Sequence, residues 1–108
     1  MNVITLSGNI CKDIELRYSK EGNPILSNTI AVRKDKKKED GTYDADFVNI
    51  VLFGNNAEFI SKYAKKGDKI SLVGKIRVDK WQDEEGNYHY NDYVVADKVE
   101  LMTNKNDR

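Results

Sequence analysis

Along most of the chain apolar and polar residues alternate with a period of two, the pattern of strands whose successive side chains face opposite sides of a sheet. In Phe47-Val48-Asn49-Ile50-Val51-Leu52-Phe53 the even positions Val48, Ile50 and Leu52 are aliphatic and face the core, which turns Phe47, Asn49, Val51 and Phe53 outward. From Lys69 to Trp81 the even positions Ile70, Leu72, Gly74, Ile76 and Val78 read as core. The odd positions there include Lys69, Ser71, Lys75, Arg77 and the lone Trp81. Residues 25–34 follow the same rule, with Leu26, Ile30 and Val32 inward and Ser27, Thr29, Ala31 and Arg33 outward. Ile4, Leu6, Ile10, Ile14, Leu16 and Tyr18 hold even parity with Gly8 in the series. That predicts one long first strand over 4–18, bent near the glycine so that it serves two regions of sheet.

Turn signals fall at Lys20-Glu21-Gly22-Asn23-Pro24, at Glu39-Asp40-Gly41 and at Glu84-Glu85-Gly86-Asn87. The last lies between Trp81 and Tyr88-His89-Tyr90 and predicts a projecting hairpin. One segment changes period. Asn55 is placed as an N-cap with Glu58 three residues on, and Phe59, Ile60, Tyr63 and Ala64 form an apolar stripe. Lys65 and Lys66 suit a helix C-terminus and Gly67 its C′ position. Phe59 and Tyr63 are therefore expected in the core. Three strands, one helix and then two strands, or a strand with its hairpin, is the order of an all-β OB-fold, a five-stranded Greek-key barrel with projecting hairpins and one short α-helix between its third and fourth strands.

Composition narrows the chemistry. A length of 108 residues suits one domain. No apolar run is long enough for a membrane helix, and the first residues lack the basic and apolar regions of a secretory signal. Cys11 stands alone, so an intramolecular disulfide is excluded and a reducing, cytoplasmic setting is the simplest one. With one Cys and one His, Cys–His catalysis and multi-His metal sites are disfavoured; no enzyme activity, cofactor or metal is expected. Cys11 reads as a small, partly buried strand residue, and His89 as a solvent or nucleic-acid contact. Asp44 with Asp46, and the Asp83–Glu85 cluster, lack a third converging ligand and read as solvated loops.

The 18 basic and 18 acidic residues cancel, but they are segregated. Residues 33–38 carry five positives and one negative, and residues 39–46 carry four negatives. Residues 62–80 hold seven positives against Asp68 and Asp79, and residues 83–100 hold six acids against Lys98. Basic blocks on adjacent elements make a local positive field whatever the total. Parity sets Arg33, Lys75 and Arg77 on the outer side with Phe47, Phe53 and Trp81. Aromatic faces for bases and cations for phosphates are what unspecific single-strand nucleic-acid binding requires. The candidate contacts are Phe47, Phe53 and Trp81 with Arg33, Lys34, Lys36, Lys37, Lys75, Arg77 and Lys80. The alternative is that the aromatics cap the barrel or fill an interface, in an accessory module for replication restart or protein interaction.

Several segments together resemble the bacterial and bacteriophage single-stranded DNA-binding proteins. They are Asn2–Ile10, Lys12–Tyr18, Ala45–Gly54, Ala57-Glu58, Lys65–Asp68 and Gly74–Trp81, so the resemblance covers residues 1–102. It implies an OB-fold, cooperative sequence-independent binding of single-stranded DNA in replication, recombination and repair, and a homotetramer built as a dimer of dimers. It also places the family's stacking aromatics on Phe47, Phe53 and Trp81. Three departures follow. Lys36-Lys37-Lys38 stands near the place of another stacking aromatic, so this loop is expected to act on phosphates and to steepen salt dependence. Val48 occupies a position where some members carry a His that supports tetramer assembly. The binding domain is expected over 1–103, with 104–108 a short extension lacking the family's linker and acidic tip, so tail-mediated recruitment of replication proteins is not expected. Either the chain is a trimmed core or a short, phage-like form.

Overall fold

The computed structural model describes residues 1–103; the expected 104–108 extension lies outside the described residues. Six strands and one helix follow in order: β1 (Ile4–Ile10), β2 (Arg17–Tyr18), β3 (Pro24–Lys37), β4 (Tyr43–Phe53), α1 (Gly54–Tyr63), β5 (Lys69–Gln82) and β6 (Tyr88–Leu101). Hydrogen-bonded neighbours run β1-β5-β6-β4-β3-β2, and a further β1–β3 pairing closes the first five into a barrel. All pairings are antiparallel except β4–β6, which is parallel. The helix follows the third wall strand, β4, and precedes the fourth, β5, as expected for an OB-fold.

Even parity identifies the interior of the wall. Leu26, Ile30, Ile50, Leu52, Ile70, Leu72 and Val94 are fully buried, and α1 closes one end of the barrel with Ala57, Ile60 and Ala64. One buried inward position of β3 is polar. The Asn28 carboxamide accepts from the Lys12 backbone N–H (3.1 Å) and donates to the Lys12 carbonyl (3.0 Å), replacing ladder bonds that the chain gives up there.

The predicted first strand therefore breaks. β1 ends at Ile10, residues 11–16 form no ladder, and only Arg17 and Tyr18 pair again, with Ile25 and Pro24. Ile14 and Leu16 still pack against the core, but Tyr18 is exposed. Cys11, half-buried, lies just past β1 and not within a strand. The expected service to two sheet regions survives within β1 itself: Ile4–Asn9 pair with β5, and Asn9 and Ile10 pair with β3.

Four other expectations change. Asn55 does not cap α1: Phe53 occupies the N-cap with no side-chain bond, and Gly54 makes the turn at φ 57°. The Asn56 side chain instead donates to the Asp97 carbonyl, 3.1 Å away. At the other end Ala64 is the C-cap, and Gly67 lies further on, donating its N–H to the Ile10 carbonyl at 2.8 Å. The buried helix stripe is Ala57, Ile60 and Ala64, spaced i, i+3, i+7. Phe59 is exposed and tilts against the half-buried Tyr63, ring centroids 5.3 Å apart. Finally, Ile76 and Val78 keep inward parity but are exposed, because β5 and β6 run past the end of the barrel.

Gly74 sits where that departure begins. The β5–β6 register shifts between Val73 and Gly74, with Val73 opposite Lys98 and Gly74 opposite Ala96. A Cβ at Gly74 would overlap the Val95 carbonyl oxygen and lie 2.9 Å from its carbon, so only glycine fits. Gly74→Ala should cost about 3 kcal/mol in urea unfolding, the upper range for forced overpacking. Gly22→Ala, at φ 84° in an open turn, should cost about 1–2 kcal/mol through backbone strain alone.

Candidate nucleic-acid interface

Cross-strand neighbours set how far each outward aromatic stands from the wall. Phe47 lies opposite Ala31, whose methyl cannot cover it, and the ring is 71% exposed. Phe53 lies opposite Ile25, which shields part of it, and is 47% exposed. Between them Thr29 faces Asn49, and its hydroxyl donates to Asn49 Oδ1 at 3.0 Å. The two rings stand six residues apart on β4, about 20 Å along the strand.

The β5–β6 arm rises beside this face with two different sides. On one, Arg77, Asp79 and Trp81 face Tyr93, Asn91 and His89 across the ladder. On the other, Val78, Lys80 and Gln82 face Asp92, Tyr90 and Tyr88. Trp81 is 50% exposed and stacks on His89, with centroids 5.4 Å apart and planes at 22°. Lys80 projects away from Trp81, with its ammonium 4.3 Å from the Tyr88 ring centroid and 5.9 Å from that of Tyr90. Strand alternation separates these two neighbours in sequence.

Two concavities lie between the β3–β4 face and the base of the arm. One, about 460 Å³, includes Lys12, Arg17, Phe53 and Asp79 in its lining. The other, about 520 Å³, includes Phe47, Ile76, Tyr90 and Asp92. Asn49, Asn91 and Tyr93 border both, so the two form one groove with Phe53 and Phe47 at its ends. Arg77 lies opposite Tyr93 at its margin, and Trp81 stands further out along the arm.

The predicted cations are distributed less simply. Arg33 lies outside the groove: its guanidinium sits 4.5 Å from the Tyr43 ring centroid, and its side chain borders a separate polar concavity with Ser7, Asn9 and Lys69. Lys34 reaches Asp46 at 3.7 Å, Lys38 reaches Asp44 at 2.9 Å, and Lys75 reaches Asp97 at 4.0 Å. The Lys38 ammonium holds the Asp44 carboxyl below the usual carboxylate range. Asp44 therefore answers a lysine across the β3–β4 turn. Among the described residues Lys36, Lys37 and Arg77 are exposed and make no ion pair, and no three His, Cys, Asp or Glu side chains are placed to hold a metal.

Several groove residues escaped the sequence reading. Arg17 faces Ser27, with its guanidinium 3.4 Å from the hydroxyl, and lines the groove beside Phe53. Its odd parity between Leu16 and Tyr18 was the available signal. Parity placed Asn49 outward without marking it as a contact, and Tyr93 gave no signal, since an aromatic residue on an outward strand position is ordinary. Lys80, expected among the contacts with Trp81, lies instead on the opposite side of the arm with Tyr88 and Tyr90.

A closed five-stranded barrel with its helix between the third and fourth wall strands and a groove across one face is an OB-fold barrel. Residues 1–102 match the single-strand binding protein family, and the chain belongs to that family. It is 34% identical over 102 residues to single-stranded DNA-binding protein 1 of Streptococcus pyogenes, covering 94% of this chain and 78% of that protein. It is also 34% identical over 106 residues to the single-stranded DNA-binding protein of Wolinella succinogenes, covering 96% of this chain and 65% of that one. With that of Streptococcus mutans it shares 32% over 105 residues, covering 97% and 64%. The chain thus spans slightly less than two thirds of the length of the latter two.

Proposed function

We propose that residues 1–103 bind single-stranded DNA without regard to sequence, stacking bases on Phe47, Phe53 and Trp81 while cations hold the phosphates. The observation that carries this reading is the groove itself, with an exposed phenyl ring at each end and polar Asn49 and Asn91 between. Stacking tolerates every base because every base has a π-face. Arg17, Lys12 and Arg77 are the cations nearest the groove, and Lys36 and Lys37 extend the track along β3. Lys34, Lys75, Arg33 and Lys80 contribute from its surroundings. Such a protein covers and protects exposed strands in replication, recombination and repair, in the cytoplasm of a cell. No helix of the described residues is long and apolar enough to cross a membrane.

Assembly is part of the proposal. Among the described residues Ile4–Gly8 have a ladder partner on one side only, so the other edge of β1 can pair with the same edge of a second copy. A two-fold dimer through that edge, and then a dimer of dimers, is the arrangement we infer. Light scattering should return a multiple of the 12.4 kDa chain mass; a monomer at every concentration would refute it.

Binding of oligo-dT should quench the emission of Trp81, the lone tryptophan. No quenching at low salt would sink the reading. Trp81→Ala should weaken oligo-dT binding by about 1–3 kcal/mol and leave the unfolding midpoint nearly unchanged.

Salt dependence should be shallower than the number of lysines suggests. Each phosphate neutralised contributes about −0.7 to the slope of log K against log salt, through the counterions it releases. A lysine already paired with a carboxylate exchanges one anion for another, and the freed carboxylate regathers a cation. The triple variant Asp44→Asn, Asp46→Asn, Asp97→Asn should therefore bind oligo-dT more tightly, by about twofold per released pair. Its salt slope should also be steeper, and an unchanged slope would show the pairs to be irrelevant.

A further inference from the structure

We propose that His89 is a positioning residue for base stacking on Trp81, and that protonation of its imidazole tightens binding of single-stranded DNA. The inference rests on the single-strand reading above and adds to it a residue and a condition. Trp81 and His89 are direct cross-strand neighbours, and the imidazole lies nearly parallel to the indole at 5.4 Å. An indole has two faces. His89 covers one, and the half-exposed ring offers the other to a base, giving a three-layer stack.

The imidazole is itself held. His89 Nε2 lies 2.7 Å from Asp83 Oδ2, and a carboxylate can only accept, so Nε2 carries the hydrogen. Asp83 is fixed in turn by the hairpin: its Oδ1 accepts from the backbone N–H groups of Glu85 (3.0 Å) and Asn87 (2.9 Å). Backbone bonds from Asp83 N–H to the Asn87 carbonyl and from Gly86 N–H to the Asp83 carbonyl close the turn. Turn, carboxylate, imidazole and indole thus form one chain of contacts that sets the ring plane at the end of the arm.

With Nε2 committed to Asp83, a second proton adds at Nδ1. The imidazolium then forms an ion pair with Asp83, presents a cation to the indole face, and brings positive charge within one ring of the bound nucleotide. The His89 imidazole, followed by the Asn87 and Glu85 N–H groups, holds the Asp83 carboxyl below the usual carboxylate range, so the acceptor stays ionised through the transition. The other charged groups on this side are Asp79 and Arg77, two and four residues back along β5, and Glu84 and Glu85 in the turn. Lys80 points to the opposite side, over Tyr88 and Tyr90.

The test uses the intact protein and a labelled oligo-dT read by anisotropy, at about pH 8 and about pH 5.5, together with Trp81 emission of the free protein across the same range. Wild type should bind about two- to fivefold more tightly at the lower pH, the size of an exposed cation–π contact. His89→Arg, a planar cation able to stack and to pair with Asp83, should bind at both pH values as wild type does at the lower one. His89→Ala should bind more weakly than wild type and lose the difference, and its Trp81 emission should no longer titrate. His89 is exposed, so both variants should fold. If His89→Ala keeps the wild-type pH profile and emission, the inference is overturned. If wild type fails to bind oligo-dT at either pH, the single-strand reading falls instead, while the emission titration still judges the stack.

Discussion

The barrel depends on a close approach of two backbones. β1 reaches β3 through only two residue pairs, Asn9 with Ala31 and Ile10 with Ile30, and these are what turn an open sheet into a closed wall. Gly8 precedes them, and a Cβ there would stand 2.6 Å from the Ala31 carbonyl oxygen. No side chain can occupy that gap without pushing the strands apart. Closure fixes the interior for Ile10, Ile30 and Ile70 and leaves β3 and β4 with a single free face. Ala31, on whose carbonyl β1 closes, is also the small residue that leaves Phe47 uncovered. One position therefore serves both the seam and the exposure of Phe47.

Strand parity was legible in the sequence wherever a strand is flanked on both sides within the barrel. It assigned Val48, Ile50 and Leu52 inward and Phe47 and Phe53 outward, and the structure agrees. It failed at Tyr18, Ile76 and Val78, and for one reason. Parity says which way a side chain points, and burial requires something on that side. Beyond Gly74 the two strands leave the barrel, and beyond Ile10 the chain leaves the ladder, so inward parity there leads to solvent. The helix was placed correctly but its cap was not, because Gly54 makes the turn that a side chain would otherwise have to stabilise. Of its expected stripe Ile60 and Ala64 are buried, joined by Ala57, while Phe59 and Tyr63 pack against each other on the outer side.

The outward placement of the candidate aromatics was legible in the sequence, and the pairing of the candidate cations was not. A strand pattern assigns a lysine to a face but not to a partner, and Lys34, Lys38 and Lys75 each have an acid from a neighbouring strand within reach. The segregation seen along the chain is thus partly undone in space, because antiparallel pairing lays the acidic run 39–46 back along the basic run 33–38. A net charge of zero is then a local as well as a total balance. Among the described residues the candidate cations with no such acid, Lys36, Lys37 and Arg77 with Lys12, Arg17, Arg33 and Lys80, are left to distinguish this surface from an electrically neutral one.

The β4–β6 seam consists of two parallel pairs, Ile50 with Val94 and Val51 with Val95. Past Val94, β6 has only β5 for company, so the stretch from Ile76 to Gln82 and back is a cantilever anchored at one end. Its reach is about 20 Å at the usual rise per residue. A tilt of about 10° at the anchor would carry its tip sideways by about 3.5 Å, close to the thickness of one aromatic ring. Trp81 rides near that tip while Phe47 and Phe53 are bolted to the wall. Such a tilt would change the distance from Trp81 to Phe47 and Phe53 by about one stacking layer.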